Sequence, residues 1–379
     1  MIKQIELRHF KCFEHLTLPL TELTLLSGAN GSGKSSILQS LALLHQTMRE
    51  HEWSTRLMLN GGCIRLGTIS DVVDKVHGRH SFEIGLVVNN HTYGWAFSGE
   101  RGDMSLQVER VEVDERRVEH PEQLKFLLPF DAGEIHENLA RRLRTMTYIS
   151  AERIGPREFY PLEDMQSALV VGPAGEYAVA LLHQGREQYV SADLEIPGTP
   201  PTLLRQTEKR MDMFFPGFCL GLEQVPRANA VILGLGSPSD SDLHKPVHVG
   251  FGLTQILPIV VSCLSAKQDD VVLIENPEVH LHPAGQAKMG FFLAEVARSG
   301  VQVILETHSD HVLNGIRRAV KAGFLSPEQT GLHFFLPRKE GEAQVVTPLL
   351  DRSGNIDVWP KGFFDQFDKD MNHFAGWEG

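Results

Sequence analysis

The chain has 379 residues, an apolar fraction of 42% and a formal net charge of −12. That length can bury a large core in more than one lobe, and the charge excludes a protein that binds polyanions with its whole surface, so that any nucleic-acid contact has to be local. Cys12, Cys63, Cys219 and Cys263 form no CxxC pair or disulfide framework, no apolar stretch is long enough to span a bilayer, and the opening MIKQIELRHFKCF lacks a signal peptide's apolar region; a cytoplasmic protein with no membrane partner is expected.

Residues 2–10 alternate in polarity, with Ile5 and Leu7 on one face, and Leu16, Leu18 and Leu20 repeat the period of two. Two strands therefore precede the apolar run 23–26. That run enters Gly28-Ala29-Asn30-Gly31-Ser32-Gly33-Lys34-Ser35, a full match to G-x-x-x-x-G-K-[ST]. Ile37, Leu38, Leu41 and Leu44 then follow at helical spacing, predicting a helix from Ser35 to about Arg49. Strand, glycine loop and helix in that order make a phosphate site. Glycines let successive N–H groups curl around an anion, and the helix opens with its positive dipole end toward it. Asn30, Gly31, Ser32, Gly33, Lys34, Ser35 and Ser36 are the candidate phosphate contacts, with Lys34 reaching the β- and γ-phosphates and the Ser35 hydroxyl a ligand for Mg²⁺.

Further along, residues 59–78 read as a turn, a short strand and a short helix, and hold no glutamine that could mark a γ-phosphate sensor loop. Residues 82–88 and 91–97 form a hairpin, short strands fall at 106–113, and residues 120–145 read as helix ending in Arg141, Arg142 and Arg144. Tyr148 opens a short strand leading to Arg153 and Arg157. Residues 156–176 are loop, helices fall near 177–182 and 202–214, and 233–246 is a polar excursion. Residues 91–245 are taken as an inserted α+β lobe between head segments 1–90 and 246–379. After Val247 come a helix at 254–264, a buried strand at 270–274, a helix at 283–298, a strand at 301–305 and a helix at 310–320. Strands at 332–336 and 343–349 and an amphipathic helix at 363–374 close the chain.

The second half of the nucleotide site lies in two of these strands. Val271-Val272-Leu273-Ile274-Glu275 is a β-branched run ending in a carboxylate, the pattern of a Walker B strand whose acid orders Mg²⁺ or its water. Asn276-Pro277-Glu278-Val279-His280-Leu281-His282-Pro283 follows. The next strand ends in Glu306-Thr307-His308-Ser309-Asp310, where His308 is placed to sense a γ-phosphate.

These segments, IELRHFKCFEHLTLPL, GANGSGKSS, LIENPEVHLHP and LETHSDHVL, resemble the ABC-type ATPases of the SMC, RecF and OLD group, over residues 1–50 and 247–320, roughly a third of the chain. The chain looks closest to a bacterial branch found in antiphage loci. The resemblance implies an α/β ABC-type P-loop head, with a mixed β-sheet core and flanking helices, that dimerises on ATP. Each composite site then joins one subunit's phosphate loop to the other's signature motif. Val249-Gly250-Phe251-Gly252-Leu253-Thr254-Gln255 stands where that signature belongs and resembles it loosely. Gly252, Thr254 and Gln255 are its candidate nucleotide contacts, on a helix opening at Thr254; the alternative reading of Thr254 is a plain helix N-cap.

One position departs from the pattern. The residue after the Walker B acid is normally a glutamate that polarises the attacking water; here it is Asn276, which cannot accept a proton. Either Glu278 or His308 orients the water, or hydrolysis is slow. The expected protein is thus an ATPase using ATP and Mg²⁺, with Glu275, Glu278 and His308 catalytic and Ser35 and Glu275 at the metal. Its expected partners are a second copy and a separately encoded effector, with DNA a further candidate, in antiphage defence or DNA maintenance. The rivals are a nucleotide-gated scaffold with little turnover, a transporter's ATPase subunit and a metal-dependent nuclease. His280-x-His282 and His308-x-x-His311 raise zinc, Asp240-x-Asp242 and Asp368-x-Asp370 raise nuclease metals, and Arg153 and Arg157 raise phosphate contacts. A built-in nuclease is not expected, because fewer than about 70 residues follow His311.

Overall fold

The computed structural model describes residues 1–73, 79–130, 133–162, 170–236, 243–339, 342–364 and 366–375. The alternating N-terminal segments form β1 (Ile2–Phe10) and β2 (Phe13–Pro19), and the apolar run becomes β3 (Leu23–Gly28), followed by α1 (Lys34–Glu50). Next come β4 (Arg56–Met58), α2 (Ile69–Val72), β5 (Ser81–Val88), β6 (His91–Ser98), β7 (Ser105–Val113), β8 (Arg116–Glu119), α3 (Glu134–Thr145), β9 (Thr147–Ile149) and β10 (Tyr160–Pro161). Then follow α4 (Ala178–Gln184), α5 (Leu203–Phe214), β11 (Cys219–Gln224), β12 (Ala230–Gly236), α6 (Phe251–Ser265), β13 (Val271–Glu275) and α7 (Pro283–Arg298). The last elements are β14 (Gln302–Glu306), α8 (Asp310–Lys321), β15 (Thr330–Lys339), β16 (Glu342–Val346) and α9 (Gln366–Phe374).

Three sheets organise these elements. The central sheet runs β16-β15-β3-β14-β13-β9, parallel except for β16. Its inner strands β3, β14 and β13 are mostly apolar because both faces are covered. Val272, Ile274, Val303 and Leu305 face one core with α4 to α8, while Val271, Leu273 and Ile304 face a second core with α1, α3 and the antiparallel sheet. That second sheet runs β2-β1-β5-β6-β7-β4, with β8 beside β7, and a small third sheet orders β10-β12-β11.

The expected inserted segment, 91–245, is thus shared out in space. β6 to β8 complete the antiparallel sheet begun by β1 and β5, and the 90/91 boundary falls in the β5–β6 turn. β9 pairs with β13 in the central sheet, and α5 packs on α6. The helix expected over 120–145 is shorter, starting only at Glu134; Pro121 and Pro129 interrupt the earlier part, where Phe126 and Leu127 hold positive φ angles of 51° and 58°. Of the excursion expected over 233–246, residues 233–236 instead continue β12 in a hairpin with β11 that the sequence reading did not contain, and residues 237–242 lie outside the described residues.

α7 and α8, which carry the two loops of the site at their N-termini, pack through glycines. A Cβ at Gly290 would lie 2.1 Å from the Val312 carbonyl oxygen, and one at Gly315 would lie 2.1 Å from that of Ala287. Backbone meets backbone at both points, so neither side can yield by a rotamer change. Gly290→Ala or Gly315→Ala is therefore expected to force the helices apart and cost about 1–3 kcal/mol or more, read as a lowered midpoint in urea unfolding; a surface change such as Lys321→Ala should leave the midpoint in place.

Candidate functional site

The glycine loop is pinned by β15. Gly28 sits at φ 133°, and a Cβ there would lie 2.1 Å from the Phe335 carbonyl oxygen, which also accepts a hydrogen bond from the Ala29 N–H at 3.0 Å. α1 starts at Lys34 after Gly33 without any side-chain cap; the Ser36 N–H donates to the Gly33 carbonyl at 3.0 Å, and the helix opens its positive dipole end on the loop. The Ser32 hydroxyl donates to the Ala29 carbonyl at 2.7 Å. Lys34 is buried; its ammonium donates to the Gly28 and Ala29 carbonyls at 3.2 and 2.8 Å and lies 3.6 Å from the Glu306 carboxylate. Burial pulls its pKa down, and Glu306 pushes it back up.

Asn30, Gly31, Gly33, Lys34, Ser35 and Ser36 line an open cleft of about 250 Å³ together with Glu306, His308 and Arg338. Six of the seven sequence-predicted loop residues thus meet one cavity, and the seventh, Ser32, braces the loop from behind. His308 reaches the same cleft. Burial, and then the Lys34 charge, hold its imidazole below the ordinary range, with Glu278 opposing.

Glu275 and Glu278 do not line that cleft. β13 and β14 run in parallel register with Glu275 opposite Glu306, which places Glu275 one strand further from the glycine loop. Its Oε1 accepts from the Tyr148 hydroxyl at 2.8 Å and its Oε2 from the Ala151 N–H at 3.2 Å. Burial nevertheless raises its pKa above the usual carboxylate range, with those two donors opposing. Glu278 accepts from the Thr307 hydroxyl at 2.7 Å and from the His308 N–H at 2.9 Å, so it clamps the turn that carries His308. Ser309 then caps α8, its hydroxyl accepting from the Val312 N–H at 3.1 Å and donating to Gln286 of α7 at 2.5 Å.

The signature candidate differs from its expected form. α6 starts at Phe251 with Gly250 as N-cap, so Thr254 lies one turn inside the helix and caps nothing. Its hydroxyl donates back to the Phe251 carbonyl at 3.0 Å, and the buried Gln255 amide donates to the Arg153 and Ile154 carbonyls at 3.2 and 3.1 Å. The helix starts early because Phe251 packs edge-on to His280 at 5.0 Å while Gly252 passes under the His280 carbonyl, which an added Cβ would approach to 2.9 Å. Gly252 is thus brought against the 276–282 turn and Gln255 against the 153–154 backbone, and none of the three lines the cleft at the chain's own glycine loop.

Arg153, a phosphate candidate from its sequence context, is buried and structural. Its guanidinium donates to the Ser150, Glu275 and Asn276 carbonyls at 3.2, 2.5 and 2.7 Å. It bridges the signature helix and the Walker B turn, because its own carbonyl accepts from Gln255. Of the other arginines, Arg142 pairs with Asp269 at 2.6 Å, Arg144 stacks on Phe126 at 4.0 Å, and Arg141 and Arg157 stay exposed. Among the described residues no three His, Cys, Asp or Glu side chains are placed to hold a metal, which removes the zinc reading there; Asp240-x-Asp242 and the Asp368 side chain lie outside the described residues. Glu306 and Arg338 belong to the cleft but were assigned no role from sequence. Glu306 did carry a signal, since VQVILE ends an apolar strand in a carboxylate as VVLIE does; Arg338 is brought in only by the pairing of β15 with β3.

The parallel sheet, the glycine loop and the acid-ended strands beside it define an ABC-type ATPase head. Residues 23–314 match the family described as "AAA domain, putative AbiEii toxin, Type IV TA system", and the chain belongs to that family, within the SMC/RecF/OLD-like group. Residues 325–373 match a second family, "Protein of unknown function (DUF3696)". An OLD nuclease of Thermus scotoductus is 26% identical over 346 residues, 82% of this chain and 59% of the relative. The DNA replication and repair protein RecF of Thermomicrobium roseum is 46% identical over 48 residues, 12% of each chain. This chain thus spans about three-fifths of the first relative and a small part of the second. In fold it is similar to an SMC head bound to the C-terminal winged-helix domain of ScpA (TM-score 0.52, 14% identity, 91% of this chain and 97% of that one). The same holds for an SMC head with an extended coiled coil bound to the C-terminal domain of ScpA, from Pyrococcus furiosus (TM-score 0.50, 12% identity, 98% and 99%).

Arg153 gives the test of this internal bracing. Arg153→Met leaves the Glu275 and Asn276 carbonyls without their donor, an expected loss of about 1–3 kcal/mol for each orphaned group, measured by denaturant unfolding. Arg153→Lys should restore only part of it, because an ammonium cannot fork between two carbonyls.

Proposed function

We propose that this chain binds and hydrolyses ATP with Mg²⁺, dimerises on ATP, and couples that cycle to a separately encoded effector in antiphage defence or DNA maintenance. The observation that carries the reading is the complete glycine loop, with Lys34 buried in it and His308 and Glu306 lining the same cleft. A triphosphate fits that cradle: backbone N–H groups and one ammonium from the loop, with the His308 imidazole lining the same cleft.

Mg²⁺ also fits. The donors at hand are hard oxygens, the Ser35 hydroxyl and the strand-end carboxylates, and one Glu306 oxygen is buried without a partner. Ser35 would hold the metal and Glu275, one strand behind, would order its water; the ion supplies charge neutralisation of the phosphates. Lys34 draws the phosphates into the loop. His308, held in place by Glu278, meets the terminal phosphate and orients the attacking water. Gly252, Thr254 and Gln255 serve the second copy's nucleotide, which requires the start of α6 to meet the partner's loop. The family's toxin–antitoxin description, the nuclease and repair names of the relatives and the ScpA-bound heads support an effector or DNA partner. No helix among the described residues is long and apolar enough to cross a membrane.

One observation favours a second reading, a nucleotide-gated scaffold with little turnover. Asn276 stands at φ 44° with its side-chain oxygen buried and unpartnered, in the place where a water-polarising glutamate is expected. Light scattering with and without Mg²⁺ and ATP, alongside phosphate release, separates the readings. The ATPase reading expects ATP to raise the mass toward a dimer with measurable turnover, both lost in Lys34→Ala. Assembly with no turnover supports the scaffold; a mass and phosphate signal indifferent to ATP contradicts both.

A further inference from the structure

Three carboxylates stand near the glycine loop, and their bonding differs. Both oxygens of Glu275 are taken by Tyr148 and Ala151, and both oxygens of Glu278 by Thr307 and His308. Glu306 is different. It is 5% exposed, it lines the cleft, and its Oε2 is buried with no hydrogen-bond partner. Its other oxygen lies 3.6 Å from the Lys34 ammonium, and the Ser35 hydroxyl also favours its charged form.

A buried carboxylate with an unsatisfied oxygen needs a positive or donating group. Lys34 supplies part of that, but Lys34 also donates to two loop carbonyls and is the group that a triphosphate recruits. Once the phosphates take Lys34, Glu306 is left as a bare anion facing a polyanion a few ångströms away. That arrangement is repulsive unless a cation stands between them. Mg²⁺ bound to nucleotide takes one or two carboxylates together with phosphate oxygens, and a Ser hydroxyl is already beside this one.

We propose that Glu306, at the end of the strand next to the glycine loop, is the carboxylate that meets the nucleotide's Mg²⁺ together with Ser35, while Glu275 stays in the layer behind. This rests on the ATP-binding reading.

Calorimetric titration of ATP, with Mg²⁺ and in EDTA, tests this on wild type, Glu306→Gln, Glu275→Gln and Lys34→Ala. In wild type Mg²⁺ should tighten ATP by about tenfold or more. In Glu306→Gln that tightening should shrink to about threefold or less, while ATP in EDTA binds more tightly than to wild type because a repelling charge is gone. Glu275→Gln should keep most of the tightening. Binding in EDTA shows that each variant is folded. Full Mg²⁺ tightening in Glu306→Gln, or its loss in Glu275→Gln alone, overturns the assignment. Equal ATP affinity in wild type and Lys34→Ala would instead sink the ATP reading beneath it.

Discussion

The parallel pairing of β3, β14 and β13 is the constraint on which the rest depends. Its register aligns Leu26 with Glu306 and Glu306 with Glu275, so three chain segments far apart in sequence leave the sheet at one edge. The glycine loop follows the first, the His308 turn the second and the Asn276 turn the third. Because side chains alternate along a strand, a slip of one residue would turn each strand's buried set to the opposite core. Both faces of these strands are buried, so such a slip would disturb two cores at once. The site's geometry is therefore fixed by apolar packing that never touches a ligand.

Charge is then managed by layers. Lys34 stands at the front, Glu306 beside it, Glu275 one strand back and Arg153 behind the Walker B turn. Each inner charge has fixed donors or acceptors, which is the condition for holding ions in a protein interior. Among the described residues, two of these charged groups keep a buried atom without a partner: one oxygen of Glu306, which lines the cleft, and Nη1 of Arg153. Helix packing supports the same layers: α7 and α8 approach through glycines, and their N-terminal turns are tied together by Glu278, Thr307, Ser309 and Gln286. A shift of either helix would move Glu278 and His308 together.

Much of this was legible in the sequence. Local patterns carried the glycine loop, its flanking strand and helix, the acid-ended strands and the antiparallel hairpin, because each needs only a period and a nearby punctuating residue. What sequence could not supply was pairing between distant segments. β15 reaches the glycine loop through tertiary contact, so Arg338 carried no signal, and β9 joins the central sheet although it lies within the segment read as an insertion. Arg153 read as a phosphate contact because nothing local announces that two carbonyls await it. Thr254 read as a helix start because Gly250 and Gly252 stand before it; the packing of Phe251 on His280 extended the helix by a turn.

The central claim is that a triphosphate sits on the backbone amides of the glycine loop. Hydrogen exchange read by mass spectrometry over residues 28–36, with and without Mg²⁺ and ATP, measures those amides directly. Strong slowing in this segment on adding ATP, absent in Lys34→Ala, is the predicted result. Exchange that ATP leaves unchanged in the folded wild-type chain would contradict the account, and the loop would then be a tight glycine turn that binds no phosphate.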